Sequence, residues 1–254
     1  MTADLKAAAR TALACLDLTS LNDADTAADI DALCQRAQTA HGPVAAVCVW
    51  PRFVAQARAA LPASIKVAAV ANFPDGALDL QRALADVAEI ALAGGDEVDV
   101  VLPYRTLLAD QPTEVAEFLS EVRFASRPLT LKVIIESGEL ETADLIAQAT
   151  RLALAAGADF VKTSTGKTRV GATPAAAGVM LKEIAASGLP AAGFKASGGV
   201  RSVADAASYI AQTEAALGAA ALNPQRLRFG ASGLLTDIES VLSGAESVAS
   251  TAAY

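Results

Sequence analysis

"AGGDEVDVV" (residues 93–101) and "AAGADFVKT" (residues 155–163) follow one plan. Each ends an Ala/Leu-rich stretch on glycine, turns through an aspartate and enters a short run of apolar, mostly β-branched residues. Glycine is the usual stop of a helix. A strand covered on both faces reads as a nearly continuous apolar run. The two segments are therefore αβ joints of a wound parallel sheet. The stretches leading into them, residues 78–93 and 143–156, repeat apolar side chains at i, i+3 and i+4, which predicts helices. Thr142 supplies an N-cap for the second.

The same alternation extends in both directions. Strands are predicted at residues 16–19, 44–50, 65–71, 97–102, 129–136, 159–163, 191–195 and 228–230. Eight βα units in 254 residues match a (β/α)8 (TIM) barrel of about 250 residues. The competitor, a doubly wound open sheet, lacks its GxGxxG after the first strand. No Pro/Gly/Ser linker divides the chain, so residues 1–254 are read as one barrel domain with a mobile tail from about residue 247.

Composition narrows the function. The chain is 53% hydrophobic and 19% charged, enough for a large core. Its net charge of −8 argues against nucleic-acid binding, which needs clustered Lys and Arg. No apolar run long enough for a signal peptide or membrane span occurs. Cys15, Cys34 and Cys48 include no CxxC pair and read as small hydrophobes in a reduced cytoplasmic protein. His41, in "TAHGP", is the only histidine, which excludes a His-rich metal site.

"FVKTSTGKT" (residues 160–168) ends like a phosphate-binding P-loop, but that motif needs a glycine where Val161 stands. Lys162 falls at the carboxyl end of the sixth strand, where barrel enzymes build their sites. Lys195, in "GFKASGG", occupies the equivalent end of the seventh. Backbones of neighbouring strands lie about 5 Å apart. Like charge and partial burial both favour a neutral amine, a usable nucleophile. Asp99 shares a strand face with Glu97. Buried, its partners would be the two lysines; spacing alone equally fits an exposed strand-end carboxylate. Gly166-Lys167, Gly198-Gly199 with Arg201, and Ser232-Gly233 follow three consecutive strands, where barrels commonly bind phosphate.

Eight ordered blocks resemble the deoxyribose-phosphate aldolase family across nearly the whole chain: "LDLTSLN", "VCVWPRF", "VANFPDG", "DEVDVVLPY", "LKVIIESGEL", "ADFVKTSTGK", "GFKASGGVR" and "RFGASGLL". The resemblance implies a class I aldolase of the (β/α)8 class, free of metal and organic cofactor. Such an enzyme, part of deoxyribonucleotide catabolism, splits 2-deoxy-D-ribose 5-phosphate reversibly into D-glyceraldehyde 3-phosphate and acetaldehyde. It further implies that Lys162 forms the Schiff base, Lys195 activates it and Asp99 assists proton transfer. Asp17, Thr19 and Cys48 would lie by the substrate, Thr165, Gly166 and Lys167 would help hold the phosphate, and Tyr254 would assist the proton step. A homodimer is typical of similar proteins. Ser232-Gly233 departs from a pair of serines common in relatives, removing one hydroxyl from the phosphate loops. The rival readings are another Schiff-base sugar-phosphate aldolase, such as a transaldolase-like barrel, and a non-catalytic sugar-phosphate binder.

Overall fold

The computed structural model describes residues 2–244; Tyr254 and the tail from about residue 247 lie outside the described residues. Eight parallel strands close into a barrel: β1 (Leu16–Thr19), β2 (Ala46–Val49), β3 (Lys66–Ala71), β4 (Glu97–Val101), β5 (Thr130–Ile134), β6 (Phe160–Lys162), β7 (Gly193–Ser197) and β8 (Leu227–Ala231). Each pairs with its successor, and β8 pairs with β1, Leu16 to Leu18 lying opposite Phe229 to Ala231. Among the described residues no helix is long and apolar enough to cross a membrane.

The two joints that set the fold are built alike. Helices Leu80–Leu92 and Ala143–Ala155 stop just short of Gly94 and Gly157, whose φ values are +84° and +86°. After each glycine an aspartate reaches sideways to the preceding strand. Asp96 accepts from the Val67 N–H at 2.9 Å and from Arg58 Nη1 at 2.8 Å. Asp159 repeats this with the Leu131 N–H at 2.8 Å and Arg123 Nη1 at 2.9 Å. One carboxylate thus satisfies an otherwise open strand amide and ties in the arginine of a neighbouring helix.

Element bounds differ from the sequence reading where side-chain hydrogen bonds compete. The first of these helices begins at Leu80, not residue 78, because the Asp79 side chain accepts from the Arg82 N–H and caps it. Thr142 caps the second as expected. Strand β7 is displaced two residues toward the C-terminus. The Ala192 N–H closes a turn onto the Leu189 carbonyl, and Gly193 is the first residue to join the ladder. Lys195 therefore sits in the middle of its strand. It nevertheless pairs in register with Lys162, the last residue of the three-residue β6.

Alternation along the strands divides the residues between two environments. On β4, Val98 and Val100 face the helical layer and are fully buried, while Glu97 and Asp99 turn into the barrel. Helix Thr2–Ala14, which the strand pattern does not announce, packs against Val203–Leu217 and Leu234–Ser243.

The aspartate clasps generate a stability prediction. Asp159→Ala leaves the Leu131 N–H without its acceptor and Arg123 with only the Leu129 carbonyl, and is expected to cost about 1–2 kcal/mol in urea unfolding. Asp159→Asn, whose amide oxygen still accepts from Leu131, should cost less. Equal losses for the two variants would show that the charge on Arg123, not the strand amide, carries the effect.

Candidate active site

A (β/α)8 barrel interior is ordinarily filled by branched apolar side chains. Here seven charged ones fill it: Asp17, Glu97, Asp99, Lys132, Lys162, Lys195 and Arg228, none more than 5% exposed. Asp99 is the hub. Its Oδ2 accepts from Lys162 Nζ at 2.8 Å and from Lys195 Nζ at 2.7 Å, and its Oδ1 accepts from Lys132 Nζ at 2.6 Å. Lys132 also meets Glu97 at 2.6 Å. Asp17 joins Lys195 to Arg228, and Arg228 bonds Glu97 through Nη2 at 2.7 Å.

Burying ions costs several kcal/mol each unless partners compensate. Burial alone would raise the Asp99 carboxyl, but Lys132, Lys162 and Lys195 outweigh it and hold the group well below the usual carboxylate range. Asp17 behaves likewise: Arg228, Lys195 and Lys132 overcome the desolvation. Burial would lower the ammoniums of Lys132 and Lys195, yet their carboxylates raise both above the ordinary lysine value. The cluster holds three carboxylates and four basic groups. Lys132, Lys195 and Arg228 suffice to balance the carboxylates, so one amine can lose its proton without leaving an unmatched negative charge.

Above the cluster a cavity of about 250 Å³ opens among the loops that follow β6, β7 and β8. Gly166, Gly198, Gly199, Arg201, Ser232 and Gly233 line it, as the glycine and serine pattern predicts. Gly230 joins cavity to cluster: a Cβ there would lie 3.1 Å from Lys195 Cε. Gly199, at φ +85°, has nothing within 4 Å of an added Cβ, so its missing side chain leaves open space.

The remaining expected residues fall in several places. Thr19 is buried, its hydroxyl donating to the Asp17 carbonyl at 2.8 Å. Cys48 is opposite Thr19 in the register; burial pushes its thiol up, with the Asp99 charge adding to the effect. Thr165 does not line the cavity, because its hydroxyl donates to Glu136. Lys167 is exposed and also off the cavity wall. Thr168 and Arg169, not singled out in the sequence, are on it. Lys132 and Arg228 were missed as site residues, although a lone basic residue inside "LTLKVIIE" or "RFG" carries the same signal as Lys162.

Comparison with known proteins bears on the fold and the family. A family model described as DeoC/LacD family aldolase matches residues 11–236. The chain is 45% identical over 250 residues to a deoxyribose-phosphate aldolase of Agrobacterium fabrum, covering 97% of this chain and 96% of the relative. A Toxoplasma gondii ME49 crystal structure, provisionally assigned as a deoxyribose-phosphate aldolase, superposes with a TM-score of 0.88 at 25% identity, over 97% and 98% of the two chains. One from Coccidioides immitis with the same provisional assignment gives 0.78 at 29% identity, over 91% and 87%.

The charge matching is testable by unfolding. Arg228→Met leaves Asp17 and Glu97 short of a cation and is expected to cost about 3–5 kcal/mol at pH 7. In the wild type the lowered Asp17 carboxyl adds stability that is full above about pH 4 and drains as pH falls through its folded value. The variant lacks most of that contribution, so the gap between the two proteins should narrow below about pH 4. A gap of constant size from pH 7 to pH 3, measured in urea, would assign the loss to packing instead.

Proposed function

This chain belongs to the DeoC/LacD family of aldolases, and from that membership we propose that it cleaves 2-deoxy-D-ribose 5-phosphate reversibly through an imine on Lys162. One observation carries the reading: two lysines in register on adjacent strands share one carboxylate oxygen beneath a glycine-lined cavity. A structural ion pair needs only one of them. The reading takes the protein as cytoplasmic, in keeping with three buried free cysteines.

The chemistry follows from the charges. As a free amine, Lys162 adds to the C1 aldehyde of the open-chain sugar, and the carbinolamine loses water to give a protonated imine. The C3 hydroxyl gives up its proton, the C2–C3 bond breaks and its electron pair flows into the imine. D-glyceraldehyde 3-phosphate departs, leaving an enamine on Lys162. Protonation at C2 and addition of water then release acetaldehyde and the amine. Asp99, held as a carboxylate, and Lys195, held as an ammonium, flank these steps and move protons through water. Loop amides and Arg201 grip the phosphate. Its binding energy positions C1 over Lys162.

Two outcomes are expected. Borohydride reduction with substrate should attach the carbon skeleton to Lys162, read by peptide mass mapping, and Lys162→Ala should abolish both labelling and turnover. Labelling at another lysine in an active wild type overturns the assignment. Lys195→Leu removes one of the three matched cations, so the Lys162 proton becomes needed for balance. The rate at pH 7 should fall by about tenfold or more, one pKa unit being about 1.4 kcal/mol. Part of it should return as pH rises. A profile merely scaled down would assign Lys195 to proton transfer alone.

A further inference from the structure

Glu136 follows β5 and is fully buried, yet it forms no ion pair among the described residues. Its backbone has φ +51°, a left-handed conformation costly for a residue with a Cβ. Its carboxylate is spent on one segment. The Thr165 N–H donates to Oε2 at 3.2 Å, the Thr165 hydroxyl to Oε2 at 2.5 Å and the Thr168 hydroxyl to Oε1 at 3.2 Å. The next residues dock the same segment at both ends. The Ser137 N–H donates to the Thr163 carbonyl at 2.9 Å, and Gly138 passes so close to Val170 that an added Cβ would lie 2.3 Å from its carbonyl oxygen.

Between those anchors lie Gly166, Thr168 and Arg169, one wall of the cavity. A buried carboxylate without an ion pair is an expensive way to steady a loop, and a strained backbone beneath it adds to the cost. Strain and unpaired burial together mark a functional constraint. An anion beside an anion site also repels its ligand. Its contribution must therefore be the shape it imposes on residues 165–168, not its charge.

We propose that Glu136 is a positioning residue that, through Thr165 and Thr168, shapes the cavity wall of Gly166, Thr168 and Arg169 for phosphate and so sets the preference for a phosphorylated over an unphosphorylated sugar. The proposal rests on the functional reading above. Displacing a binding wall by about 1 Å can cost about a hundredfold. Glu136→Ala should therefore lower the ratio of kcat/KM for 2-deoxyribose 5-phosphate over 2-deoxyribose by about tenfold or more. The change should appear chiefly in KM for the phosphorylated sugar, with turnover of the plain sugar falling less. Glu136→Gln keeps an oxygen for both Thr165 donors and should restore most of the ratio.

The experiment measures both sugars in the wild type, Glu136→Ala, Glu136→Gln and Thr168→Val. Inorganic phosphate is titrated calorimetrically into the same four proteins. An equal fall for both sugars in Glu136→Ala, or an unchanged phosphate affinity, overturns the proposal. Where the alanine variant does not fold, Thr168→Val decides, since it deletes one contact to the carboxylate: a smaller drop in the same ratio supports the proposal and an unchanged ratio overturns it. A wild type that turns over neither sugar refutes the aldolase reading, while the phosphate titration still judges the role of Glu136.

Discussion

Two lysine amino groups converge on one oxygen of Asp99, and the rest of the molecule is arranged so that this can persist out of water. An isolated carboxylate at that depth would take up a proton, and an isolated ammonium would lose one. Closure of the barrel prevents both by bringing β1, β4, β5, β6, β7 and β8 to share their charges across the interior. The cost of desolvating seven ionisable groups falls on a fold whose outward strand faces and helices bury a large apolar layer. Hydrophobic area thus sustains an interior that would not assemble on ionic grounds alone.

Stability and chemistry are divided between the two ends of the strands. Before the strands, Asp96 and Asp159 clasp backbone amides and helix arginines. After the strands, glycine-rich loops leave open space and expose amides. The same residue type therefore holds the frame at one end and joins the charged cluster within. Position along the strand, not identity, decides which task an aspartate performs.

Much of this was legible in the sequence because its signals are local. Glycine, turn, aspartate and apolar strand recur within nine residues, and Lys162 and Lys195 stand out in short apolar runs. Their partnership with Asp99 was inferable because all three lie on strands that a barrel must bring together. Arg228 carried a similar signal in a predicted strand but was passed over, because its run is only three residues long and its partners Asp17 and Glu97 lie 211 and 131 positions away. Thr165 looked like a ligand contact because a hydroxyl in a loop is chemically free in the sequence. In the fold Glu136 already occupies it. The offset of β7 has a similar origin: whether the turn or the ladder claims Ala192 depends on a hydrogen bond that spacing does not encode.

The unequal count of buried charges bears on the direction of bond breaking. In the proposed reaction, a neutral Lys162 amine leaves the interior balanced, and conversion to a protonated imine adds one positive charge there. The three carboxylates of the cluster are already matched by Lys132, Lys195 and Arg228, and the buried Glu136 carboxylate is turned onto Thr165 and Thr168, so the added charge is in excess. The charge disappears when the electron pair of the C2–C3 bond moves into the imine and produces the neutral enamine. The excess of one cation in the interior therefore favours fragmentation, and a further carboxylate added to this site would stabilise the intermediate while slowing its breakdown.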